Sequence, residues 1–323
     1  MFSLFESPEL RLREYAYRLI GRGEVHQSII VSGSPRSGTT WLAQILASLP
    51  GYKHFNEPLR LAPPLVRKLG LEERNYVAPS ASRAELREYL SYALRGKVDG
   101  PYQVHGTSKL RRTYEMLQRP QVVAKFIRAN RMVHWLDATF DVRGLFVLLR
   151  HPCAVVSSHL QRWGAPAVPD DFSTGFGGDI PDDLINQYRE VLESIDTGEE
   201  VLAAVWAIDT YCVLRHHGSS PGPVITYEQL RAYPEEIVTD LFAHVGAKVP
   251  ESAWDHVDLP SRSAVPDLHV DDVERQLSKW TRKLSEDQTD RILRIARGFG
   301  LDMYGRDMYP ALDRIDSPLL KQE

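Results

Sequence analysis

Short apolar runs alternate along the chain with longer segments in which apolar residues recur every three or four positions. Five of the runs read as strands: SIIVSG (28–33), YKHF (52–55), QVVAKFI (121–127), GLFVLL (144–149) and PVITY (223–227). Near-continuous apolar character is what a strand covered on both faces requires, as in a parallel sheet flanked by crossover helices. Leu42, Ile45, Leu46 and Leu49 keep helical spacing until Pro50-Gly51 ends the segment. Ser82-Arg83-Ala84-Glu85 has the capping-box pattern, so a helix is expected from about Ser82. Helical patterning returns at 182–195 and 199–217. The alternation predicts an α/β fold with a parallel β-sheet flanked by helices.

Two stretches, about 59–118 and 160–220, interrupt the alternation and read as helical insertions. The second contains GAPAVPDDFSTGFGGDIP (164–181), whose Gly, Pro and Asp content marks a mobile lid. With no repeat, low-complexity tract or linker, residues 1–323 are expected to form one domain that the insertions decorate. The chain is 43% hydrophobic and 25% charged, ordinary values that exclude a disordered or collagenous class. A formal net charge of −4 argues against a broad nucleic-acid or membrane-surface footprint and leaves room for a local basic pocket. Glu6, Glu9, Arg11 and Arg13 break up the N-terminal apolar residues, so no signal peptide or transmembrane segment is expected. Cys153 and Cys212 form neither a CxxC pair nor a disulfide framework, which fits a reducing cytoplasm.

The first strand runs into Gly33-Ser34-Pro35-Arg36-Ser37-Gly38-Thr39-Thr40 and then into a helix, the context of a phosphate-binding P-loop. Such loops point successive backbone N–H groups and a helix N-terminus at one anion, and glycines let the backbone approach it. Thr39 stands where a nucleotide triphosphatase has lysine, and Arg36 is the loop's only cation. Its guanidinium fork suits a phosphate or a sulfate. The fourth strand ends in Arg150-His151-Pro152 instead of a magnesium-binding aspartate. Ser158 lies eight residues beyond Arg150. If a helix begins near Pro152, Arg150 and Ser158 can face one site and form a second anion clamp.

Two anion sites without the lysine or the carboxylate resemble the sulfotransferase family that uses 3′-phosphoadenosine-5′-phosphosulfate, PAPS. SPRSGTTWL is similar to its 5′-phosphosulfate loop, and RHPCAVVSS to its 3′-phosphate motif. The resemblance implies that Arg36, Ser37, Gly38, Thr39 and Thr40 hold the 5′ end, that Trp41 lies against the adenine, and that Arg150 and Ser158 bind the 3′-phosphate. PVITYEQLRAYPEEIVTDLFAHVG resembles the family's strand, tyrosine and helix segment, which places Tyr227 near the adenine. SKWTRKLSEDQ looks like the closing segment of many members, with Ser261-Arg262-Ser263 before it as a cover for the nucleotide. PAPS would be the donor and PAP the product, with no metal required. The acceptor would be a hydroxyl of a small molecule, carbohydrate or lipid.

Sulfuryl transfer, by analogy with phosphoryl transfer, needs in-line positioning, neutralisation of charge and removal of the acceptor proton. Cytosolic members that sulfate small hydroxyl compounds take the proton with a histidine just after a lysine; Lys125-Phe126-Ile127 keeps the lysine and lacks the histidine. The resemblance leaves Lys125 and Arg36 to stabilise the transferring group. In HFNEPLR, Glu57 is similarly placed to the general base of carbohydrate and protein-tyrosine sulfotransferases, and it is expected to be ionised. His54, His105 and His159 are rival bases. The plainer alternatives are a surface turn for Glu57, a strand-end lysine for Lys125 and a core position for Trp41. Tyr76, Tyr89, Tyr102, Trp163, Phe172 and Phe176 either wall an acceptor pocket or fill satellite cores. The competing functions are a divergent P-loop kinase and a catalytically inactive PAP-binding interaction protein.

Overall fold

Each strand found in the structure ends within one residue of its apolar run: β1 (Ile29–Ser32), β2 (Tyr52–Asn56), β3 (Gln121–Phe126), β4 (Gly144–Leu149) and β5 (Val224–Thr226). The structure, a computed structural model, describes residues 22–61, 63–98, 118–171, 175–215, 222–258 and 273–315. All five strands are parallel and lie in the order β2-β3-β1-β4-β5. Val31 is in register with Lys125 and Phe146, and Asn56 with Lys125, so the carboxyl ends of β1, β2 and β3 are level. The expected parallel α/β sheet is present.

Side chains alternate between the two faces of a strand, and the two halves of the core follow that alternation. Ile30, Val122, Ala124, Leu145 and Val147 pack in one cluster with α2 (Ala84–Leu94), α3 (Val133–Thr139), α4 (Pro152–Trp163), α5 (Gly198–Leu214) and α9 (Glu286–Gly298). Ile29, Val31, Val123, Phe146 and Leu148 pack in the other with α1 (Thr39–Leu46), α6 (Tyr227–Ala232), α7 (Pro234–His244) and α8 (Glu251–Asp258). Among the described residues no helix is long and apolar enough to cross a membrane.

The structure corrects two local expectations. α2 begins at Ala84 with Arg83 as its N-cap and no side-chain cap bond. Ser82 and Glu85 are therefore one residue out of phase for a capping box, and Arg83 instead donates to the carbonyls of Leu69 and Gly70. Capping boxes form at Thr197/Glu200 and Ser285/Gln288. The segment 182–195 is not one helix but two short ones, Asp182–Gln187 and Arg189–Glu193.

The glycine-rich stretch read as a lid is tied down in its described part. Buried Arg131 donates to Asp209 Oδ1 at 2.8 Å and to the carbonyls of Phe176, Gly178 and Asp179 at 2.8–3.3 Å. The backbone of Arg74 donates to the Gly177 carbonyl, and a Cβ on Gly178 would lie 1.9 Å from the Arg74 carbonyl oxygen. Gly178 also has φ 129°, which glycine adopts readily.

Candidate active site

β1 lies between β3 and β4; the chain leaves β1 toward β2 on one side and leaves β4 toward β5 on the other, so the strand order reverses between β1 and β4. In open α/β sheets the carboxyl ends at such a switch point form the natural ligand crevice. The loop after β1 and the loop after β4 meet there. Arg150 Nη1 donates to the Arg36 carbonyl at 2.7 Å, and Arg36 Nε donates to Ser158 Oγ at 2.9 Å. The first loop and the Arg150-to-Ser158 segment are thus one constellation joined through Arg36.

The backbone of the first loop is held in a strained shape. Arg36 has φ 72°, a left-handed conformation that costs a residue with a Cβ about 1–2 kcal/mol. Gly38 has φ 91°, and a Cβ there would lie 2.6 Å from the Tyr227 ring. Gly38 is the N-cap of α1, with Thr39 and Thr40 in its first turn. Ser37 Oγ and Arg150 Nε are buried without a hydrogen-bond partner, so the loops carry polar atoms that a ligand would satisfy. Burial lowers the pKa of Arg36, and repulsion by Arg150 and Arg162 lowers it further. The crevice is electropositive although the chain as a whole is acidic.

Tyr227 follows β5 and packs beneath Arg150, whose Cζ is 4.2 Å from the ring centroid. Trp41 meets Tyr227 edge-on at 5.7 Å, carries Arg231 over its ring and donates to the His256 carbonyl. At 4% exposure Trp41 is part of the core. His151 fixes the Arg150 turn. Its Nδ1 accepts from Cys153 N–H, its Nε2 lies 3.0 Å from the Gly305 carbonyl, and its ring stacks on Trp280. His151 N–H donates to buried Glu228, and Trp206 donates to the Arg150 carbonyl. The segment Ser278–Arg282 therefore packs against this turn through Trp280. Burial pushes the Cys153 and Cys212 thiols up to about 12, which leaves neither as a thiolate near neutrality.

A second cluster lies at the carboxyl ends of β2 and β3. Glu57 opens a turn, with φ 55° and its carbonyl accepting from Arg60 N–H, but at 4% exposure it is buried and not a surface residue. Its N–H donates to the Lys125 carbonyl, and its Oε2 accepts from Ile127 N–H at 2.7 Å. Lys125 Nζ lies 3.8 Å from Oε2, and Arg128 Nη1 lies 3.7 Å from Oε1. Burial raises the Glu57 pKa against the pull of Lys125, Arg128, the Ile127 N–H and Arg74. Burial lowers that of Lys125 against the attraction of Glu57. Asn130 connects the second cluster's sheet end to the first loop: it accepts from Ser32 Oγ at 2.7 Å and donates to Ser34 Oγ at 3.3 Å.

His54 lies within β2, and His159 packs tilted against Trp163 on α4, with the ring planes at 58°. Tyr89 and Phe176 belong to the core, with Tyr89 donating to the Pro58 carbonyl. Trp163 is 59% exposed. Tyr102, His105, Phe172 and Ser261-Arg262-Ser263 lie outside the described residues. Arg128, His151 and Glu228 are the parts of the arrangement that sequence reasoning missed. Arg128 and Glu228 carry no motif of their own, and only its place beside Arg150 pointed toward His151. Among the described residues no group of three or more His, Cys, Asp or Glu side chains is arranged to hold a metal ion.

Residues 28–251 match the model of the Sulfotransferase family. The chain belongs to that family. Among solved structures it is similar to the sulfotransferase domain from the Synechococcus PCC 7002 olefin synthase, with 18% identity, TM-score 0.46, and 86% of this chain and 96% of that one covered. It is also similar to the sulfotransferase domain from the curacin biosynthetic pathway, with 16% identity, TM-score 0.47, and 86% and 99% covered. The mouse sulfotransferase SULT7A1 complexed with PAP matches at 13% identity and TM-score 0.44, with 94% and 96% covered. No curated protein sequence matches the chain significantly.

Proposed function

We propose that the protein transfers the sulfuryl group of PAPS to an acceptor hydroxyl of a small molecule, carbohydrate or lipid, giving PAP and a sulfate ester. One observation carries this within the family. Arg36 and Arg150 converge at the sheet's switch point, where Ser37 Oγ and Arg150 Nε are buried and unpartnered. A donor with anions at both ends matches two basic loops in contact. The 5′-phosphosulfate belongs with Arg36, Ser37, Gly38, Thr39 and Thr40, and the 3′-phosphate with Arg150 and Ser158. Tyr227 lies on the adenine side and Trp41 backs it from the core. Thr39 in the lysine position, together with an arginine at the end of β4, disfavours magnesium-dependent phosphoryl transfer.

In this mechanism the acceptor oxygen attacks sulfur and forms a new S–O bond as the S–O bond to the 5′-phosphate breaks. The acceptor proton goes to Glu57. Arg36 and Lys125 neutralise charge on the sulfuryl group and the leaving phosphate oxygen. Burial strengthens Glu57 as a base by making its carboxylate costlier, while Lys125 and Arg128 limit the effect. One domain belongs to the same proposal, as does a cytoplasmic location, which the two buried, unpaired cysteines fit.

Glu57→Gln keeps the side chain's shape and removes the base. It is expected to bind PAP as the wild type does and to lower PAPS-dependent sulfation by about 100-fold or more, read by mass detection over an acceptor panel. Unchanged turnover in that variant would remove Glu57 from the mechanism.

A further inference from the structure

The two oxygens of Glu57 are held differently. Oε2 accepts from Ile127 N–H at 2.7 Å and faces Lys125. Oε1 is buried, has no hydrogen bond and lies 3.7 Å from Arg128 Nη1, itself buried and without a hydrogen-bond partner. Their 3.7 Å separation is too long for a hydrogen bond but close for two opposite charges in a buried setting. Of these three side chains Arg128 alone is substantially exposed, at 22% against 3% for Glu57 and 6% for Lys125. Arg128 is therefore the side of the cluster nearest to solvent.

We propose that Arg128 is a positioning residue for the base. Ile127 N–H and Lys125 fix Oε2, and the Arg128 guanidinium holds the carboxylate ionised with Oε1 turned toward it. Oε1 is then the atom that takes the acceptor proton. When the hydroxyl reaches it, the O–H bond breaks and the proton moves to Oε1, while the guanidinium is free to hold the oxygen that loses it. The other groups facing Glu57 are Arg74 and the buried phenol of Tyr89, with Arg60 acting on Lys125. None of these three supplies a hydrogen bond to Oε1.

The kinetic part of this inference rests on the sulfuryl-transfer proposal, and the electrostatic part does not. A ¹³C NMR titration of the Glu57 carboxyl in the free protein, assigned by its loss in Glu57→Gln, tests the latter directly. Arg128→Gln is expected to raise the titration midpoint by about one pH unit, and Arg128→Lys to leave it near the wild-type value. An unchanged midpoint in Arg128→Gln overturns the inference. In the pH profile of kcat/KM the acidic limb is expected to move up with the NMR midpoint, a loss of about tenfold below the limb that is recovered above it. A uniform loss at every pH, with both the limb and the NMR midpoint in place, would leave Arg128 a structural residue. If the NMR midpoint moves and a measured limb does not, Glu57 is not the base, and the sulfuryl-transfer mechanism fails while the charge coupling stands.

Discussion

At the level of single residues, the turn after β4 shows how one buried side chain sets a pH response. His151 accepts from Cys153 N–H through Nδ1, so Nε2 carries the proton of the neutral ring and donates to the Gly305 carbonyl. Burial, with repulsion from Arg150, lowers its pKa to about 4, while the unfolded chain protonates near the ordinary 6.5. The unfolded chain then binds the extra proton first as pH falls. The contribution of His151 to stability is full above pH 6.5 and is lost down to about pH 4, by about 3 kcal/mol in all. Glu57 has the opposite sign, because a raised carboxyl pKa removes stability as pH rises. The difference between wild type and His151→Asn isolates the histidine, since Asn can still cap α4. Urea unfolding at pH 7.5 and at pH 4.5 should show a smaller acid loss in the variant. An equal loss in both proteins would contradict the neutral buried ring. At this scale Arg36, Arg150 and Glu57 were legible because each stands at a strand-to-loop junction beside a glycine or proline motif. Arg128 was not, because its importance comes from a carboxylate 71 positions earlier in the chain.

Among elements, the strands were readable and the helix starts less so. A strand buried on both faces announces itself by continuous apolar residues, as GLFVLL does, whereas a capping box depends on phase, and Ser82 misses by one residue. The lid reading was corrected at residues 176–179 for a related reason. Glycines at 175–178 favour a loop, but its anchor is Arg131, which joins it to Asp209 on α5. Arg131→Met would leave Asp209 buried with only Arg74 Nε at 3.4 Å. The variant is expected to lose about 3–5 kcal/mol of unfolding free energy, and adding Asp209→Leu should restore part of it. Denaturant midpoints of the single and double variants measure this. A loss below about 1 kcal/mol in the single variant would show that the fork does not carry the loop.

For the whole molecule, the functional proposal comes down to topology. The order β2-β3-β1-β4-β5 brings two loops more than 100 positions apart to one crevice, with the Glu57 and Lys125 cluster at the same sheet end. The motifs marked both loops, but sequence could not show that Arg36 bridges them by donating to Ser158 and accepting from Arg150. If these loops hold one donor, the protein must read both ends of the nucleotide. Calorimetric titration with PAP and with adenosine 5′-phosphate tests this most directly, in the wild type and in Arg150→Ala. The wild type is predicted to bind PAP at least tenfold more tightly, a gap of about 1.4 kcal/mol, and Arg150→Ala is predicted to close most of that gap. Equal affinity of the wild type for the two nucleotides, or binding of ATP·Mg without PAP, would contradict it.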